Sequence, residues 1–308
     1  MKANISGAGN NSTFHEMLCS SYLTIEHRYI LLPINLFISA TAFPGNVLII
    51  IALQRVSSLH SSSKLLFICL ASTDVCVGLI LQPVYISYFM SPDNSVPCYY
   101  IGDMSYMLSI IFCGVSVQTS TAISVDRLFA LLLGLRYRHI ITLKRVWIFV
   151  IAAWFTSTSN AIFYYYNEAA SMYFACTALL LSITTSTFCY VQIYRFLLHH
   201  QIQIQEYAPK ELSNRGSRLL NIARYKKTVS SAVWIQAALL VCYLPFVIMT
   251  TIYVTSEEYT PIIAFLLELT ISFVQLNSSL NPFLYCWKIR EVRRSVKNLI
   301  RGLFVTVC

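Results

Sequence analysis

Seven stretches of this chain stay apolar for more than 20 residues, at approximately 30–54, 65–90, 100–125, 146–166, 173–198, 229–254 and 261–285. The hydrocarbon core of a bilayer is about 30 Å thick, and a helix of about 20 apolar residues crosses it. Each stretch therefore suffices for one crossing. Composition agrees: 56% of the 308 residues are hydrophobic and only 11% are charged, with a mean hydropathy of +0.62. A soluble domain carries about a quarter charged residues. In lipid the backbone must satisfy itself, which leaves helices or closed barrels, and these stretches lack the alternation of barrel strands. The pattern predicts an all-α, seven-transmembrane helix bundle, with the third and sixth helices continuing past the membrane.

Basic residues orient the bundle. Of the 22 lysines and arginines, 20 fall between or after the apolar stretches on one side, in 55–64, 127–145, 195–227 and 288–301. The opposite loops, 91–98, 167–172 and 255–260, contain none. Short basic loops stay cytoplasmic, so the N-terminus is expected outside and the C-terminus inside. The net charge of +9 then faces anionic inner-leaflet lipid and calls for no nucleic acid. Three acceptor triplets for N-glycosylation, at Asn4, Asn10 and Asn11, suit an extracellular segment. The first 28 residues lack the layout of a cleavable signal, so the first span is expected to act as its own insertion signal. The layout is an extracellular segment 1–28, a seven-helix domain 29–286, and a cytoplasmic helix and tail 287–308.

Two polar regions stand apart from the spans. The link 199–227 is broken by Pro209 and Gly216, which predicts helical extensions around a mobile centre. After Trp287, the residues Ile289, Val292, Val296, Leu299 and Leu303 recur at steps of three and four among six basic residues. That spacing predicts a short amphipathic cytoplasmic helix lying on the inner leaflet.

Inside the spans the polar residues are few. Asp74 stands in "LASTDVCVG" with no basic neighbour in sequence, and an ionisable group at that depth is costly and functional by default. Asn46, Ser116, Asn277, Ser278 and Asn281 share its depth. Asn277, Asn281 and Tyr285 are spaced by four and so lie on one helix face. A carboxylate facing neutral oxygens is a ligand set for a hard monovalent cation; a polar knot that merely joins helices is the plainer alternative, at about 0.6 kcal/mol per contact. Pro282 removes a backbone hydrogen bond, leaving the carbonyl of Ser278, four residues earlier, without its donor. Nearby amides and hydroxyls can re-satisfy that carbonyl. Pro245 predicts a second kink in the sixth span.

The motifs "GN" at 45–46, "LASTD" at 70–74, "DR" at 126–127, Trp154, "CYLP" at 242–245 and "NPFLY" at 281–285 occur in order, each in its own span. Together they resemble the rhodopsin-like (class A) G-protein-coupled receptors over residues 29–303. The resemblance implies a multi-pass plasma-membrane receptor for an extracellular small-molecule, lipid or peptide ligand. Its partners would be a heterotrimeric G protein and arrestin, with no tightly bound cofactor. Asp74, Ser116, Asn277, Ser278 and Asn281 would form an allosteric sodium pocket. Asp126 would hold Arg127 sideways at rest. Tyr243 would be a toggle above Pro245, and Tyr190 and Tyr285 would swing in as a crevice opens beside the kink at Pro282. Asp103, Ser109, Cys113, Tyr243, Glu268 and Gln275 would line the ligand pocket, and Cys308 would be acylated.

Departures from the family pattern are informative. Leu128 follows Arg127 in place of tyrosine, Tyr243 replaces a tryptophan, and Tyr225, Lys226 and Lys227 stand where an acid often bridges to the arginine. A weakly locked resting state with appreciable basal signalling is expected. Cys98 lies one turn before the usual stapling position, occupied by Gly102, and the second outer loop has no cysteine. Cys98 either pairs with Cys19 or stays a free thiol. Gln275 stands where opsins carry a lysine and Ser109 where amine receptors carry an aspartate, so retinal and biogenic amines lack their usual partners. The short second outer loop and Ser182, with no proline in the fifth span, resemble the melanocortin, adenosine, cannabinoid and lysophospholipid receptors. Asp103 and Glu268 near the outer mouth would meet a cationic peptide or stand as solvated rim charges. All six histidines fall outside the spans or at their edges, which opposes an enzyme at depth. A seven-span channel or transporter is the alternative, and the chain lacks its two related halves.

Overall fold

A computed structural model describes residues 19, 23–56, 59–207, 237–256, 260–288 and 290–307. Asn4, Asn10, Asn11, Pro209, Gly216, Tyr225, Lys226, Lys227, Ile289 and Cys308 lie outside the described residues. The seven predicted spans are helices: α1 Ile25–Arg55, α2 Ser61–Met90, α3 Val96–Leu133, α4 Leu143–Tyr164, α5 Glu168–Tyr207, α6 Ala237–Thr255 and α7 Pro261–Lys288. An eighth helix, α8 Arg290–Val307, follows. As expected, α3 runs well past the hydrophobic stretch and α5 extends into the polar link; the expected extension of the sixth helix, with residues 229–236 of its stretch, lies outside the described residues. α6 stays helical through Pro245.

Local chemistry sets the ends. Thr24 caps α1 by accepting from the amide of His27 at 3.4 Å. Ser95 caps α3, accepting from the amide of Cys98 at 3.2 Å with Pro97 in the first turn, where a missing N–H costs nothing. α3 stops at Gly134, whose φ of +50° favours a residue without a side chain. In the middle of α2, Val77–Leu81 widen into a π-helical turn. The Gly78 carbonyl there accepts from Ser39 Oγ of α1 at 2.8 Å.

Among the described residues two large apolar clusters fill the bundle, with a smaller third of Leu128, Cys189, Tyr190 and Ile193 between α3 and α5. The outer one gathers Tyr85, Tyr88, Phe89, Tyr106, Tyr164 and Tyr253 around Cys19 and Leu23. The inner one joins Leu53, Phe67, Leu70, Val150, Tyr285 and Val292. Val292 of α8 is fully buried, and Val296 and Leu299 pack beside it. The predicted apolar stripe of α8 is therefore turned at its start against the bundle itself. Cys19 and Cys98 form a disulfide with Cα atoms 6.0 Å apart, which resolves the two alternatives for Cys98. The turn from α4 to α5 is only residues 165–167.

Candidate functional site

Asp74 sits on α2 with no exposed surface. Its Oδ2 accepts from Asn281 Nδ2 at 2.6 Å and its Oδ1 from Ser116 Oγ at 3.1 Å, and the Ser278 hydroxyl also reaches the carboxylate. Helices α2, α3 and α7 thus meet at one acid. The carboxylate and two hydroxyls are hard oxygen donors that suit a small monovalent cation, so the residues present fit the sodium expected there. Asn277, together with Asn281, Tyr285, Tyr190 and Ser124, lines a cavity of about 40 Å³. That volume has room for about two waters. The shared face of Asn277, Asn281 and Tyr285 is therefore observed, although only Asn281 of the three bonds to Asp74.

The proline in α7 is compensated from α1. Asn46 Nδ2 donates to the Ser278 carbonyl at 2.9 Å and to the Ala42 carbonyl at 2.8 Å. This is the carbonyl that Pro282 orphans. A Cβ on Gly45 would lie 3.0 Å from the Pro282 ring, so glycine at 45 lets α1 approach the kink. Thr41 Oγ1 adds a bond to Ser279 Oγ at 2.9 Å.

At the far end of α3, Asp126 has more partners than its neighbour in sequence. Ser63 Oγ donates to Oδ2 at 2.8 Å and the Tyr137 hydroxyl to Oδ1 at 2.5 Å. Arg127 Nη2 lies 3.8 Å from Oδ2, outside hydrogen-bond range. The guanidinium instead lies over the Phe67 ring at 5.1 Å, with Nε and Nη2 buried and without a hydrogen-bond partner. Burial, then the bond to Asp126, push the Tyr137 phenol up to about 12, so it stays a donor at neutral pH. Tyr190 is buried with its hydroxyl 3.5 Å from Ser124 Oγ. Tyr285 packs edge-on against Phe67 at 5.1 Å, its hydroxyl buried without a partner. Sequence reasoning missed Ser63, Tyr137 and Phe67. A signal existed for two of them, because Ser63, Phe67, Leu70 and Asp74 recur at steps of four, three and four on α2.

The residues expected around a ligand divide into two groups. Ser109 and Cys113 line an apolar cavity of about 90 Å³ among α3, α4, α5, α6 and α7. Tyr243 is buried in the adjoining cluster with Cys113 and Phe246. Glu268 and Gln275 face α2 instead. Glu268 is 1% exposed and accepts from the Tyr85 hydroxyl, while Gln275 Oε1 accepts from Gln82 Nε2 at 2.6 Å. Glu268 is thus no solvated rim charge. Ser272 Oγ donates to the Glu268 carbonyl and accepts from Asn35 Nδ2, both at 3.0 Å. Asp103 is half-buried on α3.

An acid shared by three helices, a proline whose lost bond is replaced from α1, and an arginine at the inner end of α3 form one column through seven spans. A family model described as "7 transmembrane receptor (rhodopsin family)" matches residues 45–171 and 161–285. The chain belongs to the rhodopsin family of seven-transmembrane receptors. It is a G-protein-coupled receptor and not an enzyme, and membership displaces the channel alternative. Human trace amine-associated receptor 9 is similar at 26% identity, covering 84% of this chain and 80% of that protein. The receptor accordingly has a G protein and an extracellular ligand as partners, and it is a multi-pass membrane protein.

Proposed function

We propose that this receptor signals by opening a cytoplasmic crevice around Arg127, into which a G-protein α subunit inserts. The observation that carries the reading is the state of Arg127: two buried nitrogens lack partners while Asp126 is bonded to Ser63 and Tyr137. A guanidinium that is held mainly by an aromatic face, worth about 0.5–2 kcal/mol, turns outward at little cost. The 40 Å³ cavity beside it, lined by Tyr190 and Tyr285, gives both tyrosines a place to move. We expect appreciable basal signalling for this reason. In a ligand-free reporter cell, wild type should signal above mock, and Arg127→Ala should cut that signal at least tenfold at equal surface density. A silent wild type at high surface density counts against the reading.

The N-terminus is placed outside and the C-terminus at the cytoplasm. The bias of 20 basic residues to one side supports this, as does a disulfide at the opposite end, since disulfides persist in oxidising compartments. Glycosylation at Asn4, Asn10 and Asn11, acylation of Cys308, arrestin binding and contact of α8 with anionic lipid belong to the same proposal. Asp74, Ser116, Asn277, Ser278 and Asn281 would form the pocket for a sodium ion, which would supply positive charge to a buried acid and favour the closed state. Asp74→Asn should remove the sodium dependence of basal signalling; retained dependence in that variant dismisses the ion. The human relative's name associates that protein with trace amines. The apolar cavity here has no carboxylate among its lining residues, which favours a different ligand.

A further inference from the structure

The cavity on α3 has three properties that together select a ligand and its route. Its walls are apolar and its polar groups are all neutral, Ser109, Gln118 and Ser182 among them. A charged ligand would enter without a counter-ion, at a cost of several kcal/mol. Its volume of about 90 Å³ is below the roughly 150 Å³ that admits benzene in a rigid core. The space suits a slender chain better than a ring system.

The second property is where the cavity opens. Phe174 on α5 lines it yet is 52% exposed, and Ala175 and Ala178 beside it are partly exposed at membrane depth. Gln118 and Ser182 line both this cavity and a wider groove of about 340 Å³ on the α3–α4 surface. The opening therefore faces hydrocarbon. The third property is the apolar cluster that borders the cavity. Cys19 and Leu23 belong to the same buried cluster as Tyr85, Tyr106, Tyr164 and Tyr253, the Tyr106 and Tyr164 rings stand 4.8 Å apart, and the backbone amide of Asn94 donates to the Cys19 carbonyl at 2.7 Å. Among the described residues, an apolar cluster tied by a disulfide thus adjoins the cavity through Tyr106, one of its lining residues.

We propose that the ligand is a neutral, slender, lipid-like molecule that reaches the cavity sideways from the bilayer between α4 and α5. Its polar end meets Ser109, whose hydroxyl points at the Cys113 sulfur at 3.9 Å, a weak acceptor that a ligand oxygen displaces. Its chain lies along Ala178 and Phe174. The occupied cavity presses on Phe246 and Val274, neighbours of Pro245 in α6 and of Gln275 in α7. This inference rests on the receptor reading and names the ligand class for it.

The test uses full-length receptor in phosphatidylcholine nanodiscs and octadecenamide bearing a mid-chain diazirine as the probe. Photolabelling should fall on α3 and α5 at the cavity and be competed by octadecenamide at least tenfold better than by octadecenylamine or octadecenoate. Ala178→Phe, which fills the opening, should reduce specific labelling at least tenfold. Ser109→Ala, which removes a hydroxyl without adding bulk, should weaken competition at least fivefold. Labelling indifferent to both variants, or competed equally by the charged analogues, overturns the proposal. Arg127→Ala separates the two readings: it should abolish coupling and leave labelling intact. Coupling without specific labelling sinks the ligand class alone, whereas labelling in a wild type that never couples sinks the crevice mechanism.

Discussion

Pro282 withholds a donor from the Ser278 carbonyl, and Asn46, on a helix more than 230 residues away in sequence, supplies one at 2.9 Å. In hydrocarbon the alternative to such a bond is an unsatisfied buried carbonyl, at about 1–3 kcal/mol. Asn46→Ala should therefore lower the melting temperature of purified receptor by several degrees. Thr41→Val should be close to neutral, because the Ser279 hydroxyl still donates to the Ile38 carbonyl at 3.3 Å. Equal melting of the two variants would mean that the kink needs no support from α1. The need for a donor was legible from the proline alone, since its missing N–H is a covalent fact. Its source was not, because the rotation of α1 that aims Asn46 comes from packing, including the contact of Gly45 with the Pro282 ring. The same holds at Asp126: its adjacency to Arg127 suggested an ion pair, but Ser63 and Tyr137 come closer.

Among the elements, α8 shows what periodicity conveys and what it omits. Steps of three and four among Val292, Val296 and Leu299 defined an amphipathic helix, and the helix is there. Periodicity cannot say whether an apolar stripe meets lipid or protein, since both are apolar. The structure buries Val292 completely within a cluster of α1, α2 and α7 residues, so the start of α8 is docked on the bundle. A charge at that position would be buried without a partner. Val292→Asp should undock the helix, speeding amide hydrogen exchange across residues 293–300 at least tenfold. Unchanged protection would return α8 to the lipid surface. The extent of α3 was foreseen for a simpler reason: the chain stays helix-forming until Gly134 breaks it.

For the whole molecule, the Cys19–Cys98 disulfide decides how the outer end is closed. It spans 79 residues of sequence, and a loop of that length is worth at most about 4.5 kcal/mol by chain entropy, less here because spans inserted in lipid restrict the unfolded state already. Arg28 adds a clamp, donating to the Phe89 and Ser91 carbonyls at 3.2 and 3.0 Å and pairing with Asp93. Cys19→Ser should free the segment before α1, lowering the melting temperature and making that segment protease-sensitive in intact cells. A variant as protected as wild type would show that the buried cluster holding residues 19 and 23 needs no covalent tie. The residues by themselves determined the seven helices, their direction through the membrane as proposed, and the depth of Asp74, because hydrocarbon penalises every exposed amide and every charge regardless of neighbours. Only the tertiary structure decided which cysteine Cys98 meets, that Glu268 turns to Tyr85, and where the cavity opens. Those outcomes depend on how each helix is rotated about its axis, and rotation is fixed by packing between residues that lie far apart in the chain.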